Sequence, residues 1–152
     1  MAIKVLIIDD DSAMTELLGL LLKSYYVDVI STNDSQEGLD MVRSESPDII
    51  LLDLMMPGKT GWDVCREVRA FSQVPIAILS AIDDPTMVAK ALDAGADDYM
   101  VKPIPIGELL SHINNLTRRA VVEKNGGKTM MHQTDSLSPK NGIQLGQKPL
   151  QV

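Results

Sequence analysis

The chain predicts an α/β protein built on a parallel sheet. Five short apolar runs alternate over the first 119 residues with five segments whose apolar residues recur at helical spacing. That alternation is the mark of strand–helix–strand units. Three of the runs, within Ile3–Ile8, Ile49–Leu52 and Ile76–Leu79, are near-continuous in apolar residues, as strands are when helices cover both faces of a sheet. At 152 residues, 45% hydrophobic and 23% charged, the chain has the length and balance of one domain with a core of its own.

The elements follow in order. Ile3–Ile8 reads as the first strand. Met14, Leu17, Leu18, Leu21 and Leu22 keep helical spacing, with Ser12 as the N-cap. Val27–Ile30 is the second strand. Asp34 opens the second helix with Glu37 three residues on, in the manner of a capping box, and Leu39 and Val42 form its apolar face. Ile49–Leu52 is the third strand. Thr60 caps a helix carrying Val64, Cys65, Val68 and Phe71. Ile76–Leu79 is the fourth strand. Asp84-Pro85 places a cap before proline at the first helical position, and Val88, Ala91 and Leu92 follow until Gly95. Tyr99–Val101 is a short fifth strand. Pro105 starts the last helix, with Leu109, Leu110, Ile113 and Leu116 inward. Residues 121–152 are polar and without period, and read as a flexible tail or linker.

Net charge is −7, divided as −9 in residues 1–119 and +2 in the remainder. An acidic body argues against direct binding of nucleic acid, which draws its affinity from cations set against phosphates. One cysteine excludes a disulfide framework and a cysteine-rich metal site, and Cys65 reads as a small buried hydrophobe. No apolar run reaches the ~18 residues of a membrane span. The first strand breaks into aspartates rather than into a signal-peptide cleavage site. The expected location is the cytoplasm.

Ligands of open parallel sheets bind beyond the carboxyl ends of the strands. Strand one ends in Asp9, Asp10 and Asp11, strand three in Asp53, strand four in Ser80 and strand five in Lys102. Each has a plainer reading: the aspartates as a helix cap, Ser80 as a loop hydroxyl, Lys102 as a solvated lysine. Their joint placement at one edge favours chemistry. Clustered carboxylates repel unless a cation joins them, and hard oxygen donors suit Mg²⁺ or Mn²⁺. A cation, an ammonium and a hydroxyl together suit the oxygens of a phosphoryl group. Asp53, alone on the middle strand, is the natural nucleophile for an aspartyl-phosphate.

Ile7-Ile8-Asp9-Asp10-Asp11, Leu51-Leu52-Asp53-Leu54-Met55-Met56-Pro57-Gly58, Leu79-Ser80-Ala81, Gly95-Ala96-Asp97-Asp98-Tyr99 and Val101-Lys102-Pro103 resemble, in order and spacing, the receiver domain of two-component response regulators. The resemblance covers residues 1–120 and implies a flavodoxin-like receiver fold with strand order 2-1-3-4-5. It implies Asp53 as phosphoacceptor. Asp9, Asp10, Asp53 and the Met55 backbone carbonyl become the magnesium set, Asp9 acting through water. Lys102 pairs with the phosphoryl group, and its bond to Pro103 is cis. Ser80 and Tyr99 form the switch pair: the hydroxyl turns to the phosphoryl group, the ring moves inward, and the face of helix four, strand five and helix five changes for its partners.

The resemblance further implies a histidine kinase or phosphotransfer protein as donor, an output protein on that face, and a stand-alone switch catalysing only its own phosphorylation and dephosphorylation. Thr60 stands where many receivers have aspartate. On the output face Lys90 and Glu108 could pair between copies, but His112 and Asn114 fall where basic residues are expected, so a monomer or weak dimer is expected. Met55 and Ile82 flank the phosphoryl position with apolar side chains that cannot hydrogen-bond a water, which implies slow dephosphorylation.

The alternatives are a relay intermediate or a truncated DNA-binding regulator. An aspartate-nucleophile phosphatase would need threonine where Ala13 stands. A flavodoxin-like cofactor binder would need a Gly- and hydroxyl-rich loop after strand one instead of three aspartates.

Overall fold

The computed structural model describes residues 2–125; most of the expected tail lies outside them. Five strands, β1 (Lys4–Ile8), β2 (Asp28–Thr32), β3 (Ile49–Leu52), β4 (Ile76–Ser80) and β5 (Asp98–Val101), alternate with α1 (Ser12–Lys23), α2 (Ser35–Glu45), α3 (Gly61–Arg69), α4 (Pro85–Asp93) and α5 (Ile106–Lys124). All strand pairs are parallel, in the order β2-β1-β3-β4-β5. The strand order and the alternation agree with the sequence reading. Helix α5 runs on to Lys124, four residues beyond the expected boundary at 120. The compact unit that holds the sheet ends at Thr117.

The period of two along a strand divides the core into two layers. Leu6, Ile8, Ile50, Leu52, Ile76 and Ile78 face one way and pack with Leu39, Val42, Trp62, Val64 and Val68 from α2 and α3. Val5, Ile7, Ile49, Leu51, Ala77 and Leu79 face the other way and pack with Leu18 and Leu22 of α1 and Leu109, Ile113 and Leu116 of α5. Cys65 is fully buried in the first layer. Burial pushes its thiol up to about 11, which keeps it an inert hydrophobe at neutral pH.

Two caps differ from expectation, and each has a physical cause. Asp11, not Ser12, caps α1: its Oδ1 accepts from the backbone N–H of Ala13 and Met14 at 3.1 and 3.2 Å. A carboxylate meets two of the orphan N–H groups and the helix dipole together. Asp34 caps α2 as expected, but Glu37 accepts from the Thr32 hydroxyl instead of closing a capping box. The complete capping box is at α3, between Thr60 and Asp63. The Thr60 backbone N–H leads the hydrogen bonds that hold the exposed Asp63 carboxyl below its ordinary range.

Candidate functional site

The register of the sheet assembles the site. Ile8 lies opposite Leu52, and Leu52 opposite Ile78, so Asp9 and Asp53 leave adjacent strands side by side. The ladder continues one step past the strands: the Asp53 N–H donates to Ile8 O at 3.0 Å, and the Lys102 N–H donates to Ser80 O at 2.9 Å. These bonds fix where each side chain starts.

Asp9, Asp10 and Asp53 each offer a carboxylate oxygen, and these oxygens lie within 4.8 Å of one another. Asp9 is buried, Asp10 exposed and Asp53 half-buried. Lys102 reaches across the edge of the sheet, and its Nζ donates to Asp9 Oδ2 at 2.8 Å. The Asp9 Oδ1 accepts from the Asp11 N–H at 3.0 Å, and the Asp53 Oδ1 from the Leu54 N–H at 2.9 Å. Of the three carboxylates, Asp9 is the one in an ion pair with Lys102. Burial pushes the Asp53 carboxyl up to about 6, and the Asp9 carboxylate adds to the rise. Lys102 and the Leu54 N–H pull the other way, and Asp10 adds a smaller push upward. Within the aspartate run, then, the plain helix-cap reading holds for Asp11, while Asp9 and Asp10 join the cluster.

Ser80, 1% exposed, is the last residue of β4, and its Oγ accepts from the Ile82 N–H at 3.2 Å. The Tyr99 hydroxyl donates to Ile82 O at 2.7 Å. The two residues named as a switch pair therefore meet at one residue of the β4–α4 loop. Burial of the half-covered ring raises the Tyr99 phenol above its ordinary range. The Lys102–Pro103 peptide is cis. Met55 is 55% exposed.

Two supports were missing from the sequence reading. Asn33 donates through Nδ2 to Asp9 O at 2.7 Å and to Thr15 Oγ1 at 3.2 Å, tying the end of β1 to α1. It follows the one strand whose carboxyl end the sequence argument passed over, so the same rule finds it. Gly61 lets α3 start directly beneath the acidic residue: a Cβ there would lie 2.5 Å from Asp53 O and 2.8 Å from Leu54 Cα. On the opposite flank, Lys90 lies over the Trp62 ring, 4.4 Å from its centroid. Glu108 stands 4.0 Å from His112 Nε2, and His112 Nδ1 contacts Asp98 Oδ2 at 2.5 Å.

The model of the response regulator receiver domain family matches residues 5–114. The chain belongs to this family. DNA-binding response regulator MtrA of Mycobacterium tuberculosis is 41% identical over 116 residues, which cover 76% of this chain and 51% of MtrA. MtrA of Mycobacterium leprae matches at the same identity over 52% of its length. The chain thus spans about half the length of the curated relatives it matches. Among solved structures, the BeF3-activated N-terminal receiver domain of RstA from Klebsiella pneumoniae superposes with a TM-score of 0.73 at 31% identity, covering 76% of this chain and 98% of that one. Chemotaxis protein CheY4 of Vibrio cholerae gives 0.72 at 27% identity, over 76% of this receiver and 99% of CheY4. No described helix of the receiver is long and apolar enough to cross a membrane.

Proposed function

We propose that this receiver accepts a phosphoryl group on Asp53 from a histidine kinase or phosphotransfer protein in the cytoplasm, and that the modification alters the face formed by α4, β5 and α5. The observation that carries the reading is the crowding of Asp9, Asp10 and Asp53 against a single ammonium, with a hydroxyl at the same edge. In the transfer, a carboxylate oxygen of Asp53 attacks phosphorus. The nitrogen–phosphorus bond of the donor phosphohistidine breaks, an acyl phosphate forms, and the leaving imidazole is neutralised by a proton from solvent. Lys102, released from Asp9, is long enough to hold one phosphoryl oxygen, and Ser80 another. Tyr99 follows Ser80 through their shared partner, Ile82.

The donor set fits a divalent cation, because three hard oxygens already converge. Asp9, Asp10, Asp53 and the Met55 carbonyl would hold Mg²⁺ or Mn²⁺. The bound cation supplies positive charge where the phosphoryl oxygens gather and favours the ionised form of Asp53. The receiver then catalyses nothing beyond its own phosphorylation and dephosphorylation. A second reading, in which the phosphorylated face governs DNA binding, is favoured by the MtrA relatives, whose names describe them as DNA-binding.

The test is phosphorylation by acetyl phosphate with Mg²⁺, followed by intact mass. One phosphoryl group should appear, should require the cation, and should be absent from Asp53→Ala. On removal of the donor it should decay over minutes or longer, because Met55 and Ile82 cannot position a water. An adduct that persists in Asp53→Ala would sink the assignment.

A further inference from the structure

Asp9 and Asp10 reach the acidic edge on the turn between β1 and α1, and that turn is held by a residue outside the cluster. The Asp9 N–H donates to Thr32 O at 3.3 Å, and the Asp9 carbonyl accepts from Asn33 Nδ2 at 2.7 Å. The last residue of β2 and the one after it thus grip Asp9 on both sides of its backbone. The Asn33 amide also donates to Thr15 Oγ1 at 3.2 Å, and the Thr15 hydroxyl donates in turn to Ser12 O at 3.0 Å. A primary amide carries two hydrogens on one nitrogen, and both find acceptors here. The Asp9 carbonyl only accepts, so an aspartate of the same shape could not replace the amide.

The carbonyl that Asn33 holds belongs to the peptide that joins Asp9 to Asp10. A peptide is planar, so a bond to its oxygen fixes the plane, and the plane sets the direction in which Asp10 Cβ leaves the chain. Asp9 has other anchors, with Lys102 Nζ at its Oδ2 and the Asp11 N–H at its Oδ1. The exposed Asp10 carboxylate has no hydrogen bond or ion pair among the described residues. Its oxygen nevertheless lies within 4.8 Å of those of Asp9 and Asp53, and it is the backbone that brings it there. Asn33 is itself exposed, so core packing does not call for an amide at this position.

We propose that Asn33 is a positioning residue for the cation site. It touches neither the cation nor the phosphoryl group; by clamping the Asp9–Asp10 peptide it sets how well the two aspartates converge with Asp53 on a divalent ion. The proposal rests on the reading of the acidic edge as a cation and phosphoryl site. Residues that orient a metal's ligands from behind typically cost about 10–100-fold in affinity when lost, and a clamp that acts through the backbone belongs at the low end.

Mn²⁺ binding to the full chain tests it, followed by the loss of the free-ion signal in electron paramagnetic resonance. Asn33→Ala should unfold cooperatively in urea, as the wild type does, and bind Mn²⁺ about tenfold more weakly. Asn33→Asp should also bind more weakly. Its added negative charge would by itself attract the cation, so weaker binding separates the lost hydrogen bond from the change in electrostatics. Thr15→Val keeps the bond to the Asp9 carbonyl and removes the second partner of the amide. It should lower the urea midpoint while binding Mn²⁺ as the wild type does. With acetyl phosphate, Asn33→Ala should need about tenfold more Mg²⁺ for half its maximal rate, and should reach the wild-type rate once the cation saturates. Wild-type Mn²⁺ affinity in Asn33→Ala overturns the proposal. So does tighter binding by Asn33→Asp, an equal loss in Thr15→Val, or a rate deficit that saturating Mg²⁺ leaves in place. A wild type that binds no Mn²⁺ overturns the reading of the acidic edge, and the proposal with it.

Discussion

The two ends of the sheet both gather charge, and they treat it in opposite ways. At the amino ends, Arg69, 19% exposed, donates to the carbonyls of Ser72, Val74 and Gly95 and to Asp97 Oδ2. Asp97 Oδ2 also accepts from the Ile76 N–H at 2.8 Å. Gly95, at φ +119, leaves room for the arginine stem, since a Cβ there would lie 2.6 Å from Arg69 Cγ. Each charge there has a partner of opposite sign and a set of backbone dipoles. At the carboxyl ends three carboxylates crowd together, Lys102 pairs with Asp9, and Asp53 is driven up to about 6. A satisfied network holds α3, β4 and the loop before β5 in one arrangement. An unsatisfied one is a standing demand for a cation or a phosphoryl group. The difference separates architecture from chemistry on the same five strands.

Removing one cation from each end should break the molecule in different ways. Lys102→Ala should slow phosphoryl transfer from acetyl phosphate by about 10²–10³-fold, the usual loss when one donor to a developing oxyanion is removed. In chelator it also leaves the buried Asp9 carboxylate unpaired. Arg69→Ala should cost about 3 kcal/mol of stability, read as a lowered urea midpoint, because it leaves Asp97 without its cation and three carbonyls without their donor. The phosphorylation rate of its folded fraction should match the wild type. An Arg69→Ala protein that stays folded yet transfers as slowly as Lys102→Ala would show that the two ends are one system.

The sheet and the acidic edge were legible in the sequence for the same reason. Strands buried on both faces must be runs of apolar residues, and the residue that ends such a run is placed by the run itself. Asp9, Asp53, Ser80 and Lys102 could therefore be put at one edge before any coordinates. The contacts that support it could not. Asn33 falls at the edge by the same rule, but its bond to the Asp9 carbonyl, 24 positions away, has no local signal. Arg69 looks like any surface arginine at a helix end until the loop before β5 folds over it. The choice of Asp11 over Ser12 as cap turned on competition among three adjacent aspartates, which spacing does not resolve. Helix α5 runs past residue 120 with little apolar signal, since Val121, 56% exposed, adds no visible period.

The smallest effect sharpens the comparison most, because it reads the strain at the carboxyl end directly. In the absence of divalent cation, the folded chain holds a proton on Asp53 up to about pH 6, whereas an unfolded aspartate releases it near pH ~3.9. Between those values the folded state binds more protons than the unfolded one, so stability falls as pH rises. The contribution is fully present below the unfolded value and is lost as pH passes through about 6. Asp53→Asn keeps the shape and removes the charge, which leaves it in the protonated condition at every pH. In chelator the variant and the wild type should melt together near pH 4. Above pH 7 the variant should be more stable by about 1 kcal/mol, a figure reduced for the solvent that reaches a half-exposed carboxyl, or a few degrees in Tm. Saturating Mg²⁺ should close that gap for the wild type alone, since it stabilises the state whose charge it neutralises. A variant no more stable than the wild type at pH 7 in chelator would mean that Lys102 already balances the three carboxylates, and the contrast between the two ends of the sheet would collapse.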